Sequence, residues 1–192
     1  MWPWEHVAFA YLAFSAASHL LWRRAPSTSA AIVAAVAGVL PDLVDKPLAW
    51  WLTVLPSGRS LAHSLLVILP VLAVVLLAGW LLDERPVAVA FAVGYLTHLA
   101  GDVIYPLVVK GEWRTGFLLW PVVPAPAGSA GGGLPHVQEL VDAFVQFLAT
   151  PRGTLYLFAD VSLLVLALAV WLYDGYPGAR WLRPRRPDTT DE

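Results

Sequence analysis

Apolar positions along this chain gather into long runs parted by short polar breaks. An α-helix needs about 20 mostly apolar residues to cross a bilayer, and five stretches are candidates: residues 7–22, 30–51, 61–82, 86–109 and 154–173. The pattern predicts an all-α integral membrane protein, a bundle of about five transmembrane helices. The first run ends at Arg23 and Arg24, the reverse of a signal peptide, whose basic residues precede its apolar core, so this segment is expected to stay in the mature protein. Pro41, Asp42, Asp45, Lys46 and Pro47 interrupt the later half of the second run. Val137, Leu140, Val141, Phe144, Val145 and Leu148 recur at helical spacing opposite Gln138, Glu139, Asp142 and Gln146, with Pro135 suited to a helix start. They predict one amphipathic helix, lying at the interface or packed over the bundle as a cap. An aromatic segment, 113–120, and a Pro/Gly-rich linker, 121–135, lead into it. The expected organisation is a single transmembrane domain over 1–176, its metal-site motifs within 1–125, the loop and amphipathic helix over 111–150, and a disordered cytoplasmic tail, 177–192.

Composition says which solvent surrounds these runs. Of 192 residues, 58% are hydrophobic and 14% charged, against roughly 45–50% and 25% in soluble domains, so lipid bilayer is the expected partner of much of the surface. A net charge of −2 offers no basic footprint for nucleic acid. With no cysteine, any metal must be held by His, Asp or Glu. Alternating the spans from an external N-terminus puts Arg23, Arg24, Arg85, Arg180, Arg183, Arg185 and Arg186 inside and Arg59, Lys110, Arg114 and Arg152 outside, in keeping with the positive-inside rule. That orientation makes the chain a multi-pass protein of the cell membrane. The ten tryptophans fall near span ends, where interfacial anchors belong. Nothing in the sequence bears on oligomeric state.

Ionisable residues within spans are costly and mark function by default. At about 1.5 Å per residue, Asp42 lies about 18 Å into the outward-running second span and Asp102 about 24 Å into the outward-running fourth, so both reach the outer half. His63 and His6 stand at the outer starts of the third and first spans. His19, at the inner end of the first, is excluded by this geometry. His98 and Asp102, at i and i+4, share one helix face and can present an imidazole and a carboxylate to one ion; the pair alone reads equally well as a hydrogen bond tying helices together. Asp42 and Asp45 add two carboxylates that need a cation or proton to coexist in low dielectric. Ser57 or Ser60 is the expected N-cap of the third helix, with His63 in its first turn. Arg59 either faces the same space, suited to phosphate or carboxylate, or snorkels to headgroups. Asp160 is read as a neighbour of the site or a partner of Arg152, and His136 as a surface residue.

Glu5-His6, Pro41-Asp42-Leu43-Val44-Asp45, Arg59 through His63-Ser64, Gly94-Tyr95-Leu96-Thr97-His98 followed by Asp102, and Leu119-Trp120-Pro121 together resemble the successive motifs of the membrane-bound metal-dependent hydrolases of the YdjM-like group. The resemblance covers roughly residues 1–125. It implies metal ligation by His6, Asp42, His63, His98 and Asp102, with Asp45 as a further ligand or base. Gly58, where many members carry another histidine, and Ala62, where a small hydroxyl residue is usual, depart from the pattern.

The expected function is a membrane-embedded hydrolase, its site facing the extracytoplasmic side and its substrate an amphiphilic ester or phosphoester. Imidazole and carboxylate together suit Zn²⁺, with Mn²⁺ or Fe²⁺ as alternatives; water is the nucleophile, Asp45 accepts a proton and Arg59 steadies developing charge. Two rivals remain at this stage: a metal or proton transporter, since intramembrane carboxylates and histidines also mark ion routes, and a non-catalytic scaffold with a structural metal.

Overall fold

A computed structural model describes residues 1–126 and 131–179. They form α1 (Pro3–Trp22), α2 (Thr28–Ala37), α3 (Leu40–Trp50), α4 (Leu65–Leu81), α5 (Arg85–Lys110), a 3-10 turn (Gly116–Leu119), α6 (Gly133–Leu148) and α7 (Pro151–Tyr173). No strand occurs among the described residues, as the apolar periodicity predicts. Residues 127–130 of the expected linker and 180–192 of the expected tail lie outside them.

Local chemistry sets the boundaries. Pro3 opens α1, Ser27 caps α2 by accepting from the Ala30 N–H at 3.2 Å, and Thr150 caps α7 by accepting from the Gly153 N–H at 3.0 Å. The second expected run divides at Gly38 and Val39, before its prolines. Pro41 then falls in the first turn of α3, where a missing N–H has no intrahelical acceptor to lose.

The 26-residue α5 lies at the centre, against α1, α2 and α4. Small residues let the backbones approach, the usual means of helix association in lipid. A Cβ on Gly94 would lie 2.3 Å from the Ala34 carbonyl oxygen, and one on Gly38 would lie 2.7 Å from the Ala10 Cβ. Phe14, Ala30, Ala34 and Ala90 are fully buried between these helices, and Ile68, Leu72, Tyr95 and Leu99 join α4 to α5. By contrast α7 buries only Gly153 and Asp160 and exposes Leu155, Phe158, Val161 and Val165. Such a surface suits hydrocarbon and would be a bare patch in water. At one end Asp174 accepts from the Tyr11 and Ser15 hydroxyls at 2.7 and 2.6 Å and lies 2.7 Å from His19 Nε2, tying α1 to the end of α7.

Three stretches are long and apolar enough to cross a membrane: Thr28–Trp50, which joins α2 and α3, Arg85–Lys110 and Pro151–Tyr173. The two other expected spans fall short for different reasons. α1 is interrupted by Glu5, His6, Ser15, Ser18 and His19. α4 has 17 residues, about 25 Å at 1.5 Å each, because residues 61–64 are drawn into a turn. The amphipathic helix forms where its periodicity predicts and packs on α7. Its Phe144 ring lies 4.5 Å from Trp2 and 5.9 Å from Tyr156, so it also reaches the start of α1.

Gly94→Ala is expected to destabilise the protein by about 1–3 kcal/mol, the usual cost of an added methyl that backbone must yield to. Thermal unfolding in detergent would show it, with the exposed Leu155→Ala nearly silent.

Candidate metal centre

The centre begins with Asp45, fully buried on α3. Its carboxylate accepts the backbone N–H groups of Ser60 at 2.7 Å, Ala62 at 2.9 Å and His63 at 3.3 Å, and His63 Nδ1 at 2.8 Å. A side chain that takes three consecutive-turn N–H groups holds the segment out of helix. α4 therefore starts at Leu65 with Ser64 as its N-cap, rather than at Ser57 or Ser60, and His63 stands just before the helix rather than in its first turn. The turn is also pinned by the Tyr95 hydroxyl donating to the Ala62 carbonyl at 2.5 Å and by Ser64 Oγ donating to the Trp120 carbonyl at 2.5 Å.

The ring tautomers follow from these partners. A carbonyl and a carboxylate oxygen accept only, so His98 Nδ1, 2.7 Å from the Gly38 carbonyl, and His63 Nδ1, 2.8 Å from Asp45, both carry protons. In the neutral rings both Nε2 atoms then present lone pairs, and they face each other at 3.1 Å. Asp42 Oδ1 lies 3.6 Å from His63 Nε2 and 3.8 Å from His98 Nε2; Asp102 Oδ2 lies 3.6 and 4.0 Å from the same two atoms. All four donors fall within 4.8 Å of one another and all four residues are buried. Four ligands about 2.0–2.1 Å from a tetrahedral ion stand roughly 3.3 Å apart, so the spacing fits one divalent cation after small closure.

A proton on one Nε2 would relieve the two imidazoles but leave Asp42 Oδ1 buried without a hydrogen bond and Asp102 Oδ2 with the Arg59 guanidinium alone. A divalent cation satisfies all four, so the residues present fit a metal.

The structure thus brings Asp42, His63, His98 and Asp102 together, and sets the remaining expected site residues around them. His6 stacks on His98 with ring centroids 3.7 Å apart and planes 18° apart; its Nε2 is 3.5 Å from Asp102 Oδ1, beside the four donors rather than among them. Asp45 has both oxygens engaged and no exposure, and sits behind His63 rather than among the four donors. Arg59 turns inward, its Nε 2.7 Å from Asp102 Oδ2, rather than snorkelling. Asp160 neither joins the centre nor pairs with Arg152: it accepts from Trp4 Nε1 at 3.2 Å. His19 sits at the opposite end of α1, against Asp174, and His136 is half-buried, edge-on to Trp50 at 5.0 Å.

Sequence reasoning passed over three contributors. Lys46 Nζ lies 2.5 Å from Asp42 Oδ2, a contact its i, i+4 spacing could have signalled. The Gly38 carbonyl, which fixes the His98 tautomer, carried no signal. The Met1 amino group lies 3.1 Å from Asp102 Oδ1. Lys46, Arg59 and Met1 also line a cavity of about 1400 Å³ that runs beneath α6, so the centre adjoins open space through side chains in direct contact with its carboxylates.

Residues 1–177 match the family model described as YdjM inner membrane protein, and the chain belongs to that family. No curated protein and no solved structure matches it.

Asp45→Ala would strand three backbone N–H groups, each costing about 1–3 kcal/mol when buried unpaired. The expected outcome is a lower unfolding temperature and faster amide exchange at Ser60, Ala62 and His63, only partly restored in Asp45→Asn, whose single amide oxygen can accept no more than part of that set.

Proposed function

We propose that this YdjM-family protein is a membrane-embedded metal-dependent hydrolase that cleaves an ester or phosphoester bond of an amphiphilic substrate. The observation that carries the reading is the pair of inward-facing imidazole nitrogens, 3.1 Å apart and free to bind an ion in the neutral rings because each Nδ1 carries the proton, beside the buried Asp42 Oδ1, which has no hydrogen-bond partner, and Asp102 Oδ2, which Arg59 flanks. Asp42, His63, His98 and Asp102 would hold the ion, with Zn²⁺ favoured and Mn²⁺ or Fe²⁺ as alternatives for this donor set. When bound, such an ion polarises a carbonyl or phosphoryl oxygen and makes water a competent nucleophile near neutral pH.

The chain's own residues do the rest. Asp45 and the Gly38 carbonyl orient His63 and His98 and fix their tautomers, the second-layer role that tunes metal ligands. Arg59 and Lys46, between the donors and the cavity, are placed to hold an oxygen of the substrate and balance the charge that develops on it. His6, stacked on His98, keeps water from one face of the ligand ring.

The neighbouring cavity favours an enzyme over a scaffold, which has no use for one. Against a transporter stands the fully buried apolar packing of Phe14, Ala30, Ala34 and Ala90, toward the His19 end of α1. A five-span arrangement, with α1 and α4 crossing beside the three longer stretches, and an extracytoplasmic site both accord with the excess of arginines beyond the ends of the helices opposite the centre.

Purified protein is expected to carry about one ion per chain, as four mixed donors imply, and to hydrolyse p-nitrophenyl esters or bis(p-nitrophenyl) phosphate in a chelator-sensitive manner. His98→Ala should lose both ion and turnover while staying folded, and Asp45→Asn should weaken metal binding roughly 10–100-fold. Turnover that survives complete metal removal, or cation flux in liposomes without turnover, would overturn the reading.

A further inference from the structure

We propose that the cavity beside the centre is a binding site for a phosphate-bearing amphiphile. As a substrate class this rests on the hydrolytic reading above; as a binding site it stands on the lining alone. The cavity holds about 1400 Å³, more than the roughly 300–1000 Å³ of pockets for small ligands, which leaves room for a hydrocarbon chain as well as a headgroup.

Its polar lining is of one sign. Lys46, Arg59, Lys110, Arg114 and Arg152 line it, and no carboxylate does among the described residues. Two of these cations already have duties, since Lys46 contacts Asp42 and Arg59 contacts Asp102, and Arg114 pairs with Glu112. Lys110 and Arg152 have no ion-pair partner among the described residues and are exposed parts of the lining. A concave wall with two such unpaired cations and no carboxylate of its own raises the local concentration of negative ligands. Phosphate fits it better than carboxylate, because its several oxygens can engage more than one guanidinium or ammonium at once.

The rest of the wall is aromatic and apolar. Trp2 and Trp4 stack at 5.2 Å and Phe144 of α6 closes on Trp2 at 4.5 Å, with Trp50, Leu140 and Phe147 continuing the surface. Sugar phosphates or inorganic phosphate would leave that wall without a partner; an acyl chain would cover it. An anionic headgroup drawn toward Arg59 and Lys46 would lie next to the side chains that flank the donors. A phosphoester of a lipid, brought in from the bilayer under α6, is the ligand whose two halves match the two halves of the cavity.

The test is calorimetric binding in a neutral maltoside detergent, using the turnover-deficient His98→Ala protein beside wild type, with dioctanoyl phosphatidic acid, glycerol 3-phosphate and dioctanoylglycerol as probes. Both proteins are expected to bind the phosphatidic acid at least about tenfold tighter than either half-ligand, the weight of one or two charge-assisted hydrogen bonds or of a buried chain. Lys110→Gln with Arg152→Gln should erase most of that margin, and Lys110→Arg with Arg152→Lys should restore it. Equal affinity for glycerol 3-phosphate would reduce the cavity to a soluble-phosphate site, and equal affinity for dioctanoylglycerol to an apolar one; either result overturns the proposal, as does a double Gln variant that binds like wild type. Because binding is read in a protein that cannot turn over, a failed hydrolytic reading with intact phosphatidic acid binding is told apart from failure of the cavity proposal.

Discussion

Two imidazole nitrogens held lone pair to lone pair at 3.1 Å are the constraint on which the functional reading depends. Both neutral, they repel in a low dielectric, and neither ring can escape by changing tautomer, so a proton or a cation must sit between them. His98 cannot swap tautomer without breaking its bond to the Gly38 carbonyl, and His63 cannot without abandoning Asp45. Asp42 Oδ1 converges on the same point with no hydrogen-bond donor of its own, and Asp102 Oδ2 with only the Arg59 guanidinium beside it. Arrangements that concentrate electron pairs in a buried space persist only with a cation to share, because unpaired buried acceptors each cost about 1–3 kcal/mol.

The fold is arranged to hold that constraint in place. Glycine and alanine at the crossings of α1, α2 and α5 bring the backbones close enough for Gly38 to reach His98 across two helices. The division between α2 and α3 lets Asp42 and Asp45 enter from a short separate helix, and Asp45 then gathers the turn that carries His63. One buried carboxylate therefore sets both the start of α4 and the orientation of a ligand. At the far end Asp174 fastens α1 to α7. The centre is closed on its apolar side and bordered by Lys46 and Arg59 on the side of the cavity.

Much of this was legible in the sequence because membranes impose depth. Counting along alternating spans put Asp42, His63 and Asp102 at one level, and i, i+4 spacing added His98; those are the four residues that meet. Depth does not encode rotation about a helix axis, so His6 was placed at the right level but its stacking on His98 could not be foreseen. Nor does it encode competition for backbone donors. Asp45 reads from sequence as one more carboxylate near a site, whereas three N–H groups and an imidazole consume its oxygens. The same capture moved the start of α4 from 61 to Leu65 and shortened an apparent span. Lys46 was overlooked as a partner although its spacing from Asp42 was available. The cavity is tertiary, assembled from the starts of α1 and α7, α3, the turn at 57–59, the end of α5 and α6, and no local pattern announces such a space.

X-ray absorption at the metal edge of purified protein loaded with one equivalent of Zn²⁺ interrogates the cage directly. Two imidazoles with two carboxylate oxygens at about 2.0–2.1 Å should give a four-coordinate nitrogen and oxygen shell with outer-ring imidazole scattering. The bound zinc, and that scattering with it, should be lost in His98→Ala. A shell of water oxygens alone, or no retained zinc, would mean that these four side chains do not share an ion.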